Sequence, residues 1–367
     1  MTDRGQIDTL VIGGGQAGLA VGFHLKEAGI PFLIVDDGKR TGDVWRQRWD
    51  SLRLFTPNRF NSLPGLEISG PDWGFPTKDQ LADYLESYAS HFDLPIQHGT
   101  RVERLSQQDG RFVAETAAGT YFADNVVIAM SSYQEPNIPE LAAGLDDRIF
   151  SIHARDYESP AQLAKGAALV VGLGNSGAEI ANELVRDRRV YLSGEPGGVQ
   201  PFRPEKLSGR LLMPIVGPLI INRLLSMSTP MGRRFKEKVY DKAAPLMRVK
   251  PKDLEAAGVE RVGRVVGVTD GLPRLDDGTI LEVANVVWCT GYGPGLGWVD
   301  LPIFDDDGGV VHRRGVVDAV PGLYFVAIRF QHSALSDTLL AVGREAGLIV
   351  EHLAARRREA RFAEKTG

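Results

Sequence analysis

Two stretches of the chain repeat one pattern of apolar and polar positions: a short apolar run, a glycine-rich turn, and then apolar residues at helical spacing. Residues 10–18 hold the first run and turn, and the helical pattern continues to about residue 28. Residues 169–177 hold the second, and its helical pattern continues to about residue 186. Both turns read Gly-x-Gly-x-x-Gly. Each stretch therefore predicts a buried strand, a tight turn and a helix whose N-terminus can face a phosphate group.

The likeness of the two halves continues beyond these helices. Val102 begins a predicted strand, and an apolar strand closes the first unit from Asn125. In the second half the corresponding strands begin at Val262 and Asn285. Equivalent positions lie 159 or 160 residues apart. One such glycine pattern is a weak signal, but a repeat of this length predicts two doubly wound α/β units, each with its own dinucleotide.

The residues of the two turns are the principal binding candidates. In such a turn the first glycine permits the bend, the second lets the backbone approach the phosphate, and the third lets the helix pack on its strand. The candidates at the first turn, assigned to FAD, are Gly13, Gly15, Gln16, Ala17 and Gly18. Those at the second, assigned to NAD(P), are Gly172, Gly174, Asn175, Ser176 and Gly177.

Acidic residues follow the first unit's second predicted strand, residues 32–35. Asp36 lies 23 residues after Gly13, where a carboxylate accepts hydrogen bonds from a ribose diol. Asp37 beside it and Val102 are further FAD-binding candidates, as is Trp45.

The chain after residue 288 predicts a return to the first unit and not a third domain. Residues 322–327 form a predicted strand, followed by a loop and a helix from about residue 337. The N-terminus of that helix can face the edge of the flavin that gains negative charge on reduction. We therefore expect a glutathione-reductase-like two-domain flavoprotein with a discontinuous FAD domain, residues 1–155 and 288–367, and an inserted NAD(P) domain, residues 160–287. Gln331 and His332 lie in the loop expected to cross the flavin.

Composition narrows the class of protein. The net charge is −5 and basic residues are not interleaved with aromatic ones, so nucleic acid is not an expected partner. The one cysteine, Cys289, excludes a Cys-x-x-Cys redox pair, and we expect no metal site. The polar start of the chain offers no signal peptide, so we expect a cytoplasmic protein.

The most apolar stretch, residues 211–221, lies within an expected insertion at about 200–250. Pro214 and Pro218 interrupt it, and it is too short to span a bilayer. We interpret it as a lid or as a helix facing the second copy of a homodimer. Since basic residues follow it, anchoring at a membrane surface remains the alternative.

Four segments carry a family resemblance: residues 12–20, 42–57, 171–183 and 288–292. On them the chain resembles, over nearly its whole length, the class B flavoprotein monooxygenases, which include flavin-containing, Baeyer-Villiger and N-hydroxylating monooxygenases. Within that family it is similar to a group of short bacterial flavoproteins. The Gly-x-x-Trp segment ending at Trp45 resembles the family's flavin-covering loop, and residues 290–292 resemble its interdomain hinge.

The resemblance implies an FAD-dependent NAD(P)H oxidoreductase that is a monooxygenase. NADPH or NADH would reduce FAD, O₂ would form a hydroperoxide at the flavin C4a, and one oxygen atom would pass to a small nucleophilic or ketone substrate. Asn58, near the position of a flavin-side Asn in animal-type members, and His332 are the catalytic candidates. The alternatives are an NAD(P)H-dependent flavin reductase or oxidase without oxygenation, and a non-catalytic flavin- or nucleotide-sensing regulatory partner.

The chain departs from the family pattern between its domains. The family sequence Phe-x-Gly-x-x-x-His-x-x-x-Trp/Tyr is matched at His153 and Tyr157, but Asp147 and Ile149 replace the Phe and Gly. The first hinge reads Ala-Met-Ser over residues 129–131, where the family has Ala-Thr-Gly. These departures bear on interdomain motion and so on the coupling of reduction to oxygenation.

The choice of nicotinamide nucleotide is expected to depend on Glu195. NADPH-dependent relatives place an Arg just after the second strand of this unit, where it can pair with the 2′-phosphate. Glu195 stands 23 residues after Gly172, the interval that separates Asp36 from Gly13. We therefore expect NADH to be used at least comparably to NADPH, unless Arg189 or Arg203 reaches the phosphate.

Overall fold

A computed structural model describes residues 3–240 and 242–366. Its strands are β1 (Asp3–Ile12), β2 (Phe32–Val35), β3 (Ile96–Gln97), β4 (Val102–Gln108), β5 (Arg111–Thr116), β6 (Gly119–Ile128), β7 (Glu135–Pro136), β8 (Phe150–His153), β9 (Ala168–Val171), β10 (Val190–Ser193), β11 (Glu260–Val262), β12 (Val265–Thr269), β13 (Leu272–Leu275), β14 (Asn285–Trp288), β15 (Tyr292–Gly293) and β16 (Leu323–Phe325). Its α-helices are α1 (Gln16–Glu27), α2 (Asp43–Arg46), α3 (Lys78–His91), α4 (Asn175–Leu184), α5 (Leu207–Ile215), α6 (Pro230–Val239), α7 (Pro251–Ala257) and α8 (Leu339–Thr366). Three short 3₁₀ helices and one π-helical stretch are Asn58–Phe60, Glu140–Gly144, Pro160–Gln162 and Val216–Leu224.

The first sheet runs β3-β2-β1-β6-β5-β4, and β16 joins it by pairing with β6. The strands β3, β2, β1, β6 and β16 are parallel, whereas β4, β5 and the first half of β6 form an antiparallel meander. The apolar run of β1 is buried on both faces, as expected of a parallel strand that is covered on both sides. Helices α1 and α8 pack together on one face, where Leu19 and Ile349 share a core.

The second sheet is fully parallel, in the order β11-β10-β9-β14-β8. It contains β8, which the predicted boundary at residue 155 assigns to the first domain. Residues of β8 pair with β14, Phe150 opposite Asn285, so the chain crosses to the second sheet before residue 150. The hairpin β12–β13 stands beside this sheet as a separate two-stranded unit.

The predicted α/β fold with two Rossmann-like sheets is confirmed, and one predicted strand start is wrong. Val262 ends β11, which pairs with β10, and the hairpin strand begins at Val265. The sequence pattern predicts a single strand here because only residues 263–264 separate β11 from β12.

The insertion, residues 200–250, consists mainly of α5, the π-helical stretch and α6. Pro214 lies inside α5, and the helical path widens just after it, since a proline cannot donate the usual backbone hydrogen bond. Within residues 3–240 and 242–366, no helix is long and apolar enough to cross a membrane.

Candidate functional site

The first glycine turn leaves open space in front of its second glycine. Gly13 has φ +107°, and a methyl group on it would lie 2.9 Å from the carbonyl oxygen of Ala129. A methyl group on Gly18 would lie 1.8 Å from the Gly13 carbonyl oxygen. By contrast, among the described residues other than its two chain neighbours, no heavy atom lies within 4 Å of a methyl group built on Gly15. The first and third glycines are therefore required by packing, while the second borders a cradle at the N-terminus of α1 that fits a pyrophosphate.

The second turn repeats this geometry. Gly172 has φ +105°, and a methyl group on it would meet the carbonyl oxygen of Cys289 at 2.3 Å. A methyl group on Gly177 would lie 1.9 Å from the Gly172 carbonyl oxygen. The space before Gly174 is bordered only by Cβ of Ala243, 3.6 Å away. This cradle also fits a pyrophosphate, and the insertion forms its rim.

Asn175 connects the second turn to the insertion. Its amide nitrogen donates to the carbonyl oxygen of Pro245 (3.1 Å), and its side-chain oxygen accepts the N–H of Met247 (2.9 Å). Ser176, beside it, is partly exposed in the first turn of α4. Asn175 is thus bonded to the insertion, and its predicted contact with a nucleotide stays a prediction.

Asp36 lies at the end of β2 beside the first turn. Its carboxylate oxygens accept the N–H groups of Gly14 (2.5 Å) and Gly38 (2.9 Å). A carboxylate offers about four acceptor sites, so it can also accept from a ribose hydroxyl. The neighbouring Asp37 is exposed, whereas the Val102 side chain packs in the apolar core below the sheet, which leaves only its backbone to face a ligand.

Trp45 lies against the first turn, as the flavin-covering segment of the sequence predicts. Its indole N–H donates to the side-chain oxygen of Gln16 (3.2 Å), the first residue of α1. Gln16 and Ala17 therefore occupy the helix N-terminus, where backbone N–H groups have no partner within the helix. The structure brings Trp45, Gln16, Asp36 and Gly15 together around one cradle.

The return loop, residues 326–338 between β16 and α8, holds two candidates. Gln331 is buried, and its amide nitrogen donates to the Arg314 carbonyl oxygen (3.3 Å). Within the described part of the chain its side-chain oxygen has no hydrogen-bond partner, which leaves a buried acceptor for a ligand donor. Nε2 of His332 lies 3.2 Å from the carbonyl oxygen of Asn222 in the insertion, and burial lowers the pKa of the ring. His332 thus contacts the insertion.

Asn58 has a structural place in the loop that follows α2. It is buried, and its amide nitrogen donates to the carbonyl oxygens of Pro71 (2.9 Å) and Ser69 (3.5 Å). Its side-chain oxygen is buried without a partner among the described residues. These bonds hold the 58–74 loop closed, and a catalytic role for Asn58 stays a prediction.

The family residues His153 and Tyr157 tie the connection between the sheets to both neighbours. Nδ1 of His153 accepts the N–H of Arg155 (3.1 Å), so the proton lies on Nε2, which donates to the Gly291 carbonyl oxygen (3.1 Å). Burial lowers the pKa of this ring and keeps it neutral. The hydroxyl of Tyr157 donates to Glu183 on α4 (2.7 Å). Both residues position the hinge and α4.

The hinge segments differ in backbone strain. Gly291 in the second has φ +86°, a conformation that glycine adopts freely. Ser131 in the first has φ +26°, although a side chain disfavours positive φ. The first hinge therefore holds a strained serine at the position where the family pattern that the chain resembles has glycine.

A polar cluster between the hinges was missed by sequence reasoning. The Tyr133 hydroxyl donates to a carboxyl oxygen of Asp337 (3.0 Å), and burial raises the pKa of both groups. Arg48 donates to the hydroxyl of Tyr292 (2.8 Å), whose ring packs edge-on to Tyr133. Arg48 lies three residues after Trp45, but no local pattern pairs Tyr133 with a residue 204 positions away.

The strand register corrects the predicted equivalence of Glu195 and Asp36. Gly13 donates its N–H to the carbonyl of Val35, and Gly172 donates its N–H to that of Ser193, both at 2.8 Å. The residue after Ser193 is Gly194, so Gly194 and not Glu195 matches Asp36. Both intervals are 23 residues long, but the second unit reaches the end of its second strand one residue sooner after its first glycine. Equal intervals therefore do not mark equivalent positions.

Glu195 nevertheless lies beside a cation at this strand end. Its exposed carboxylate is 3.3 Å from the guanidinium of Arg261, which also donates to the Gly194 carbonyl oxygen (2.6 Å). Arg189 and Arg203, the alternatives from the sequence, are paired with Glu260 and Asp253. Arg261 lies at this strand end as well, but it too is paired, with Glu195, and which arginine would reach a 2′-phosphate stays a prediction.

A partly buried carboxyl on α4 makes stability depend on pH. Burial raises the pKa of Glu179 to about 7 against the attraction of Arg248, and Glu205 and Glu183 raise it further. The protonated form is thus favoured by folding, so the stability that it contributes is complete below pH 4.5 and is lost as the pH rises to about 7.

Replacing Glu179 with Gln is therefore expected to raise the free energy of unfolding at pH 8 by about 2 kcal/mol, with little change at pH 4.5. Thermal unfolding at the two pH values measures this. The same change at Glu255, exposed on α7, serves as the control. Equal effects of the Glu179 change at both pH values would contradict the assigned protonation.

Two phosphate-sized cradles at helix N-termini, joined through two hinges, define a two-dinucleotide flavoprotein oxidoreductase. Residues 10–212 match the family described as pyridine nucleotide-disulphide oxidoreductase. A CzcO-like oxidoreductase of Geobacillus kaustophilus is 38% identical over 95% of this chain and 98% of its own length. The chain belongs to this oxidoreductase family.

Monooxygenases are among the proteins similar to this chain. The flavin-containing monooxygenase from Stenotrophomonas maltophilia superposes with a TM-score of 0.76 at 26% identity, over 96% of this chain and 99% of that one. A probable indole-3-pyruvate monooxygenase of Arabidopsis thaliana, YUCCA3, is 27% identical over 82% of this chain and 76% of its own. The predicted FAD-dependent NAD(P)H oxidoreductase of the flavin-monooxygenase type is confirmed.

Proposed function

We propose that the protein uses NADH or NADPH and O₂ to place one oxygen atom on a small nucleophilic or ketone substrate. The observation that carries this proposal is the cysteine content. The chain has a single cysteine, Cys289, and burial raises the pKa of its thiol to about 12. A disulphide relay needs a thiolate and a partner thiol. Electrons must therefore leave the flavin directly, to O₂ or to another small acceptor.

Bound FAD would accept hydride from the nicotinamide and activate O₂, and the side chains provide binding and orientation. The N-termini of α1 and α4, with Gly15 and Gly174 at their open cradles, would hold the two pyrophosphates. The unpaired side-chain oxygen of Gln331 can accept a hydrogen bond from a flavin N–H. Together these residues would determine where the flavin ring meets the nicotinamide ring.

The insertion would exclude water from this meeting point. It reaches the first domain at two separate places: the guanidinium of Arg210 lies 5.8 Å from the ring centre of Trp73, and Phe235 packs against Phe330 of the return loop at 6.4 Å. Exclusion of water is what separates an oxygenase from a flavoprotein that releases peroxide.

The pair Tyr133–Asp337 would hold a proton beside the return loop. Burial raises the pKa of the Asp337 carboxyl, and the Tyr133 hydroxyl donates its proton to a hydrogen bond with that carboxyl. Arg329 attracts the Asp337 carboxylate and opposes this effect. A retained proton on the Tyr133 hydroxyl could serve the release of water or product.

Coupled oxygenation predicts that peroxide release falls when a substrate is present. The holoenzyme is mixed with NADH or NADPH alone, and then with a thioether, a tertiary amine or a cyclic ketone. We expect one of these probes to lower the hydrogen peroxide formed per nucleotide oxidised and to yield an oxygenated product. Oxygen uptake, peroxide and product are measured together. Peroxide equal to nucleotide consumption with every probe would instead assign a reductase or oxidase without oxygenation.

A further inference from the structure

The helical part of the insertion turns its apolar side outward. Leu207 and Leu211 are 70% and 63% exposed. Apolar residues recur at intervals of four or five positions, which places them along one side of the helical path. We call this side the outer face; it consists of Leu207, Leu211, Ile215, Leu219 and Leu224, all exposed. A helix at a water-facing surface normally has the opposite arrangement.

The inward side of the same helical path begins with the buried Met213 and continues to a polar, bonded end. Asn222 is buried, and its side-chain oxygen accepts the hydroxyl of Ser333 in the return loop (2.6 Å). Just after the helical path ends at Leu224, Ser226 is also buried, and its neighbour Met227 donates its N–H to the carbonyl oxygen of His332 (2.7 Å). Turning the helices to bury the leucines would break these bonds and leave buried polar groups unpaired. The outward apolar side is therefore fixed by the return loop.

Positive charge surrounds the outer face. Residues 207–239 contain six Lys or Arg residues and one acidic residue, Glu237, in a chain whose net charge is −5. Arg210 and Arg223 are exposed along the helical path, and Arg233 and Arg234 are exposed on α6 beside the exposed Met231. A strip of leucines edged by cations is complementary to an anionic lipid surface. The acyl chains would contact the leucines, and the negative headgroups would pair with the arginines.

We propose that the outer face docks on an anionic lipid bilayer, with α5 and the π-helical stretch lying flat at the interface between headgroups and acyl chains. The contact is peripheral and goes beyond the oxygenase activity proposed above. The insertion is bonded to the return loop through Asn222 and would cover the proposed site. Docking of its outer face would therefore place the membrane directly against the cover of that site.

The test measures co-sedimentation of the flavin-loaded protein with vesicles. Vesicles of phosphatidylcholine mixed with phosphatidylserine are expected to bind the protein, and vesicles of phosphatidylcholine alone to bind at least about tenfold more weakly. High salt should release the protein from the mixed vesicles. Equal binding to both vesicle types, or binding to neither, would overturn the proposal.

Two double variants assign the contact to the outer face. L211S/L219S removes apolar contact and R233Q/R234Q removes charge, and each is expected to weaken binding to mixed vesicles about tenfold or more. The matched controls V311S, at a residue that is 56% exposed elsewhere, and R101Q are expected to bind like the parent. Flavin content and circular dichroism show that each variant is folded. Weaker binding by the controls would overturn the assignment. It would also be overturned if the parent bound no vesicles but self-associated and L211S/L219S abolished that self-association, because a second copy would then cover the outer face.

Discussion

Replacing Gly15 with alanine is expected to give a folded protein that purifies almost without flavin. The backbone at Gly15 is extended (φ −77°, ψ −169°), which alanine adopts without strain, and in the described part of the chain no heavy atom beyond its two neighbours lies within 4 Å of the added methyl group. The methyl group would instead occupy the space in which the pyrophosphate must approach the backbone. We expect bound FAD to fall below about one tenth of the parent level, because a loss of at least 1.4 kcal/mol in binding is a factor of ten. Absorbance of the purified protein and its circular dichroism measure the two properties.

Gly18 provides the control that separates binding from folding. Its added methyl group would lie 1.8 Å from the Gly13 carbonyl oxygen, so Gly18→Ala should destabilise the fold itself. Of the two variants, only Gly15→Ala is expected to lose flavin while it keeps the unfolding temperature of the parent. Full flavin occupancy in Gly15→Ala would show that the first turn does not hold the pyrophosphate.

Replacing Glu195 with arginine is expected to raise the ratio of kcat/KM for NADPH to that for NADH by about tenfold to a hundredfold. Glu195 is exposed and paired with Arg261, so its carboxylate both repels a 2′-phosphate and occupies the nearby cation. The substitution removes the negative charge, frees Arg261 and adds a second guanidinium. Flavin reduction by each nucleotide, followed by stopped-flow absorbance, gives the ratio.

Two further variants identify the cation responsible. Glu195→Gln removes only the carboxylate, and it should shift the ratio in the same direction by a smaller factor through Arg261. The double variant Glu195→Gln with Arg261→Gln should return the ratio to about the parent value. A strong native preference for NADPH that Glu195→Arg leaves unchanged would contradict a role for this strand end.

The sequence predicted those features that depend on neighbouring residues. The predicted strand 32–35 coincides with β2, and both Gly-x-Gly-x-x-Gly turns occur between a buried strand and a helix, because apolar runs and glycine turns have local physical causes. The insertion was also predicted, since residues 211–221 are too apolar for a solvated loop.

Features that depend on pairing between distant segments could not be predicted. The equivalence of Asp36 with Gly194 follows from which carbonyl accepts the N–H of the first glycine, and that register is set by the length of the helix connection. The Tyr133–Asp337 pair joins residues 204 positions apart, and the bond of His332 to Asn222 joins residues 110 apart. In each case the packing of two distant elements determines which residues are partners. The sequence of one segment alone contains no pattern that indicates this packing.

The late return of the chain to its first sheet has a consequence for biosynthesis. Every strand of the second sheet lies within residues 150–288, whereas the first sheet needs β16, at residues 323–325, and the covering helix α8. On a ribosome the second sheet can therefore close while the first still has an uncovered edge at β6. The nascent chain would have to keep that edge and the face of α1 from aggregating until nearly the last residue has been translated. A chain truncated after residue 320, and so lacking β16 and α8, should consequently yield a protease-resistant second sheet and no capacity to retain FAD.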